Sequence, residues 1–435
     1  MRKKGFRWLI GILGFLLLLL AFAPSSRAAH DGTHLTNSGP ETANAPHGSF
    51  TSDTKACGYC HQLHRGKSAT LLRAATKRDT CFLCHDGRGS KYDVKNGKTY
   101  IATGPNAGTI VDNAAGGFSS SAGFTSKHLI EEVNAPPGGN GQSFMLVCTS
   151  CHNPHGTPNH RLLRTTVNGR TNVDVQASVS VNPITNKETV SYKSGTANFC
   201  SSCHTDYVYY NREAGAIDKT KYRHPIGVML NGGTRTADDG DIPKSAKFDP
   251  TLFTNLPTEG VPSGAYPKPV QNQISTGGSL SAGTYYYIVT AANAEGESHQ
   301  GHVKTVSGVP ANGKVTLQWD SVANALKYSV YRAGPSATPP TGLTAYNLVA
   351  DSETQKSRFA FTDNPGGGTF TFEDTGAVQS TTVHPPGINS QANPAKVFCL
   401  TCHYAHGTKT VDGFTGESKL KRMDNMGVCQ NCHKR

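Results

Sequence analysis

The stretch CGYCHQLH at residues 57–64 sets two thiols three positions apart, an imidazole directly after the second thiol, and another imidazole three positions further on. A Cys-x-x-Cys-His unit suits c-type haem attachment: the thiols form thioethers to the haem vinyl groups and the adjacent histidine coordinates iron from one face. All twelve cysteines fall in such units: Cys57, Cys60 and His61; Cys81, Cys84 and His85; Cys148, Cys151 and His152; Cys200, Cys203 and His204; Cys399, Cys402 and His403; Cys429, Cys432 and His433. Histidine makes up 18 of 435 residues, so six pairs each followed by histidine would arise by chance with a probability on the order of 10⁻⁸. Structural zinc needs two cysteine pairs per metal, or a pair plus more distant histidines, and has no use for a histidine fixed at the next position. Disulfides in an exported chain would use the same thiols, and covalent haem leaves none over. The cofactor expectation is therefore six c-type haems, with those six histidines as proximal iron ligands.

Twelve histidines remain, at positions 30, 34, 47, 64, 128, 155, 160, 224, 299, 302, 384 and 406. Six irons with two axial imidazoles each need six of them. His64, His155 and His406 stand at one offset, three residues after a proximal histidine, on the same helical face. From there none can reach round a porphyrin to the far side of the haem its neighbour holds. Each must serve another haem, which ties two macrocycles to a single turn of chain. His47 in APHGSFT, His128 in FTSKHLI, His224 in YRHPIGV and His384 in TVHPPGI complete seven distal candidates. His299 and His302 lie in a β-rich segment and His30 and His34 beside a processing site; these four are not expected to bind iron.

The elements that must carry these residues are read from composition and spacing. MRKKGFR is basic, Trp8 to Ala23 is apolar, and Ser26 and Ala28 are small residues suited to signal peptidase, so residues 1–28 read as a cleaved signal peptide. The net charge is +12, of which Arg2, Lys3, Lys4, Arg7 and Arg27 lie in those 28 residues, leaving +7. Six haems would add about twelve propionates and about six ferric charges, so the basic excess reads as a counter-charge. No dense Lys/Arg run with interleaved aromatics is present, and nucleic acid is not an expected partner. Between Cys200 and Cys399 the chain changes character. LSAGTYYYIVTAANAEGES (280–298), KVTLQWDSVANALKYSVYRAG (314–334) and FTFEDTGA (370–377) alternate β-formers around polar turns. A β-sandwich insert is placed at 266–378. Residues 29–265 carry the first four motifs and 379–435 the last two. These haem-bearing parts are rich in Gly, Asn, Ser, Thr and Pro, as in GPNAGTIVDNAAGGFSSSAGF. They are expected to be mostly irregular coil with short helices wrapped around six haems, with little sheet outside the insert, and not to fold without haem.

The order CxxCHxxH, CxxCH, CxxCHxxHG, CxxCH, RHPIG, CxxCHxxHG and a final CxxCH at the chain's end resembles the OmcS-type hexahaem extracellular cytochromes. Residues 266–378 resemble a fibronectin type III module, with Trp319, Tyr328 and Tyr331 in its core; such an insert is a departure from that cytochrome type. The resemblance implies bis-histidine haems throughout and protomers polymerised into filaments with a continuous haem stack. It also implies that His64 ligates the haem of Cys399, Cys402 and His403 in a neighbouring copy. The expected function is extracellular electron transfer rather than catalysis, with redox partners and extracellular acceptors; a monomeric secreted carrier is the alternative. A reductase of small nitrogen or sulfur species would need an iron with an empty distal side, often marked by a CxxCK motif, and none occurs. An adhesive surface protein is a further alternative, suggested by the insert.

Overall fold

Runs of β-branched and aromatic residues form strands both inside the predicted insert and outside it. The computed structural model describes residues 47, 53–100, 110–112, 115–207, 256–262, 267–363, 368–387, 393, 395–409 and 422. The predicted signal peptide, His30, His34, His224 and the motif of Cys429, Cys432 and His433 lie outside the described residues. Among the described residues are five short α-helices: α1 (Asp53–Cys60), α2 (Lys77–Phe82), α3 (Cys148–Cys151), α4 (Thr196–Cys200) and α5 (Cys399–Cys402). Thr76 caps α2, its hydroxyl accepting the Asp79 N–H at 3.0 Å.

The expectation of mostly irregular coil outside the insert is corrected by four antiparallel sheets among the described residues there. Strands β1 (Tyr92–Asp93), β2 (Lys98–Tyr100) and β3 (Ile110–Asp112) form one sheet, β4 (Phe124–Lys127) pairs with a strand near the C-terminus, and β5 (Glu132–Asn134) pairs with β6 (Phe144–Leu146). The longest pair joins β7 (Gln176–Val181) to β8 (Glu188–Ser194). The reason is local. QASVSV and ETVSYKS alternate small or polar residues with β-formers on either side of an Asn-Pro turn, a hairpin signature hidden by the polar composition of the region.

Strands β9 (Val270–Leu280), β10 (Gly283–Asn293), β11 (Gly296–Glu297), β12 (Val303–Val309), β13 (Gly313–Asp320), β14 (Lys327–Ala333), β15 (Asn347–Asp351), β16 (Phe359–Thr362) and β17 (Thr369–Asp374) make two sheets. One has the order β11-β10-β14-β15, with β12 also on β10, and the other β16-β17-β13-β9. Strand β18 (Gly407–Lys409) is the partner of β4. The two sheets share one apolar core. Val315, Leu317 and Trp319 face inward on β13 and Phe370 and Phe372 on β17, with Lys314, Thr316 and Gln318 less buried between them. Strand β10 is buried on both faces: Tyr285, Tyr287 and Val289 enter this core, while Tyr286 and Ile288 join Tyr331, Tyr346 and Leu348 in a second cluster. Trp319 stacks on Phe370 with centroids 6.1 Å apart and meets Tyr328 at 5.6 Å. Trp319→Ala is expected to destabilise the sandwich by about 3–5 kcal/mol, read as a lower denaturant midpoint for the far-ultraviolet β-sheet signal.

Candidate haem-binding centre

Each described haem motif is one helical turn closed by its own histidine. The His61 N–H donates to the Cys57 carbonyl at 2.8 Å, and those of His85, His152, His204 and His403 donate to Cys81, Cys148, Cys200 and Cys399 at 3.0 Å. A turn of this kind puts the i and i+3 thiols on one side, as two thioethers to one macrocycle require. The ten described cysteines are unbridged.

The imidazoles are held in a ligand-ready form. The Nδ1–H groups of His61, His85, His152 and His204 donate to the carbonyls of Thr70 (2.9 Å), Tyr92 (3.1 Å), Arg161 (2.8 Å) and Pro137 (2.7 Å). A carbonyl can only accept, so the proton resides on Nδ1 and the lone pair on Nε2, the tautomer that a metal takes. His128 is set in the same way by Ala405 at 2.7 Å and His384 by Tyr346 at 2.9 Å.

Four of the seven distal candidates stand opposite a proximal histidine. Ring centroids are 6.3 Å apart for His61 and His155, 5.6 Å for His85 and His47, 6.3 Å for His152 and His406, and 6.2 Å for His204 and His128. A metal–imidazole bond of about 2 Å on each side, with about 1.1 Å from ring nitrogen to ring centre, puts two trans-coordinating rings about 6.2 Å apart. Three pairs already have this spacing. In the fourth, the Nε2 atoms of His85 and His47 are 3.4 Å apart and need to separate by a fraction of an ångström. The donor set therefore fits six-coordinate haem iron, and in the other three pairs the separations leave room for a metal rather than for a direct hydrogen bond. Burial and the neighbouring His85 and His152 lower His47 to about 4, and burial with His152 and His128 nearby lowers His406 to about 3. Burial also lowers His128 and His152. Rings held neutral at pH 7 keep their lone pairs for iron.

Residues 47–89 and 139–169 match the family described as Doubled CXXCH motif. These motifs mark a multihaem c-type cytochrome. Neither a curated protein nor a solved structure matches the chain.

In the cytochrome the motifs follow one another in space as in sequence. Helices α2 and α3 pack together, as do α4 and α5, which sets Cys81 beside Cys148 and Cys200 beside Cys399. The charge of Cys84 is felt at Cys60, and that of Cys203 at Cys151, where burial first and then these neighbours raise both thiols, Cys151 to about 12. Motifs one to five thus form an unbroken series of neighbours.

The cytochrome's sequence carries a further repeat. After CxxCHxxH, Leu71-Leu72-Arg73 and Leu162-Leu163-Arg164 recur at the same offset, and Leu-Lys-Arg at 420–422 follows the fifth motif after a longer loop. The backbone N–H groups of Arg73, Arg164 and Arg422 donate to the carbonyls of Cys60, Cys151 and Cys402 at 3.0, 2.9 and 2.9 Å. The guanidinium groups of Arg164 and Arg422 also bind the carbonyls of Thr149 and Leu400, inside the motifs themselves. The Leu-x-Arg repeat is what caps the haem-bearing turns.

The other candidates lie elsewhere. His64 is exposed on the turn after α1. His384 is half-buried beside the sandwich, at Tyr346. Ser298 and His299, in the β-rich segment, are buried.

Proposed function

We propose that this cytochrome is an extracellular electron conduit in which six bis-histidine haems form one row and copies join end to end. The observation that carries the reading is the set of four imidazole pairs with centroids 5.6–6.3 Å apart. Bound c-type haem supplies a reversible one-electron couple. The chain's own residues would do the rest: cysteines on packed helices would tether neighbouring macrocycles close together, and each histidine pair would supply two ligands to one iron. With both positions taken, a small nitrogen or sulfur substrate has nowhere to bind, which weighs against a reductase.

The register of the pairs supports assembly. His155, beyond the third motif, faces the first; His406, beyond the fifth, faces the third. Each CxxCHxxH thus lends its second histidine two motifs back. Continued by the same step, His64 of the first motif belongs to a motif that precedes the chain, which in a row of six is the fifth of another copy. We assign His155, His47, His406 and His128 to motifs one to four, which leaves His64, His224 and His384 for the motifs of His403 and His433. We read the basic, apolar and small-residue sequence of 1–28 as a signal for export, and 266–378 as a fibronectin type III-like module borne on the conduit's surface.

The oxidised protein is expected to be low-spin and six-coordinate throughout, and His406→Ala to turn one haem in six high-spin while all six stay covalently attached by mass. A large high-spin fraction in the unmutated protein would favour a reductase.

A further inference from the structure

A single carboxylate stands behind two of the proximal histidines. Tyr92, whose carbonyl takes the Nδ1–H of His85, donates its hydroxyl to Glu188 at 2.9 Å, and Arg161, whose carbonyl takes the Nδ1–H of His152, brings its guanidinium to 3.7 Å from the same group. The Lys91 ammonium binds Glu188 at 2.5 Å, and the Arg161 guanidinium lies over the Tyr92 ring, 4.3 Å from its centroid. Arg161 has φ of +54°, a left-handed conformation disfavoured for a side chain with a Cβ, and this turns its carbonyl towards His152. Something must offset that strain, and the contacts of its side chain with Glu188 and Tyr92 are in place to do so. Burial alone would raise the Glu188 carboxyl, but Lys91, Arg161 and Tyr92 together hold it below the usual carboxylate range, so it carries its charge at neutral pH.

Glu188 is in turn set by the sandwich. It opens β8 opposite Val181. The turn before it is pinned by Asn182, which donates to the Ala325 carbonyl at 3.3 Å, by Lys187, paired with Asp363 at 2.7 Å, and by Ile184, which packs on the sandwich core. The insert thereby fixes the position of a charge that acts on the cytochrome.

We propose that Glu188 is a shared positioning residue for the proximal imidazoles of the second and third haem motifs, held in place by the β-sandwich. The inference rests on the reading of His85 and His152 as iron ligands. A carboxylate that steadies the carbonyl acceptors of both rings makes the imidazoles better donors and favours ferric iron. Its removal also leaves the Lys91 and Arg161 cations uncompensated, which acts in the same direction.

The test is a redox titration of the six-haem holoprotein followed by electron paramagnetic resonance. Glu188→Gln is expected to move two of the six low-spin components to higher potential with altered g values, leaving four unchanged, and Glu188→Asp to restore them in part. Tyr92→Phe, a milder change for folding, should displace one component only, that of the second motif. A uniform shift of all six components, or none in either Glu188→Gln or Tyr92→Phe, overturns the proposal. Failure of the underlying ligand reading shows separately, as high-spin iron in the unmutated protein.

Discussion

Replacement of His64 by alanine is expected to leave six haems attached and to abolish end-to-end assembly. His64 is exposed, so its loss removes no buried packing and should not disturb the fold of its own protomer. The role proposed for it rests on the two-motif step that joins His155 to the first motif and His406 to the third. If an iron–imidazole bond across the interface contributes only about 4 kcal/mol, its loss raises the concentration needed for polymerisation about a thousandfold. Two readouts should move together: filaments vanish from electron micrographs, and one haem per copy, that of the fifth motif, loses a ligand and turns high-spin. Added imidazole should restore the low-spin spectrum without restoring polymers. Filaments of undiminished length in the variant would sink the assignment of His64 to a neighbouring copy.

A stability loss as large as that of Trp319→Ala is expected at Asp374. Its side chain is fully buried at the end of β17, and its oxygens accept from Arg332 Nη1 at 2.7 and 2.8 Å, from the Tyr287 hydroxyl at 2.8 Å and from the Gly376 N–H at 2.9 Å. Arg332 is itself buried and reaches the Gly376 carbonyl at 3.0 Å, while Arg358 approaches Asp374 at 3.7 Å. Burial and the Asp374 charge keep the Tyr287 hydroxyl firmly protonated. Asp374→Ala strands the Arg332 cation in an apolar interior, a change that costs about 3–5 kcal/mol. The double variant Asp374→Leu with Arg332→Met removes both charges and should recover much of the loss, because paired removal avoids the uncompensated charge. Trp319 is the only tryptophan after Trp8 and sits in the core that Asp374 borders, so its fluorescence during urea unfolding reports the change directly. An unaltered midpoint for Asp374→Ala would mean that the pair adds nothing to stability.

The haem motifs are plain in the sequence because covalent attachment is a demand of one helical turn: two thiols at i and i+3 and a histidine amide that closes the turn can be seen with no knowledge of the rest. The aromatic and β-branched alternation of β10, β13, β14 and β17 is equally local. Which histidine faces which is not, since His155 meets His61 and His406 meets His152 only through tertiary packing. The β7–β8 hairpin was hidden for another reason. Its strands are built from Ser, Thr and Val between polar loops, a composition that reads as coil until alternation is counted. Glu188 gave no local sign at all: a glutamate at the start of a strand is ordinary until Tyr92 and Arg161 are seen on either side of it.

One small pairing has a consequence for how this molecule could change over time. The chain segments that lead into and out of the sandwich are laced together by Glu259 and Lys396, whose backbones exchange hydrogen bonds of 3.1 and 2.8 Å, and by Val261 N–H on the Asn393 carbonyl at 3.0 Å. To the parent scaffold the insert is therefore topologically a loop with a stitched collar, and a folded unit with adjacent termini can replace such a loop without rethreading what lies beneath. The collar acts as a socket. Cargo of other kinds, an enzyme or an adhesive lectin, could be grafted there onto a cytochrome whose haem motifs stay the same, provided the new surface still receives Asn182 and Lys187.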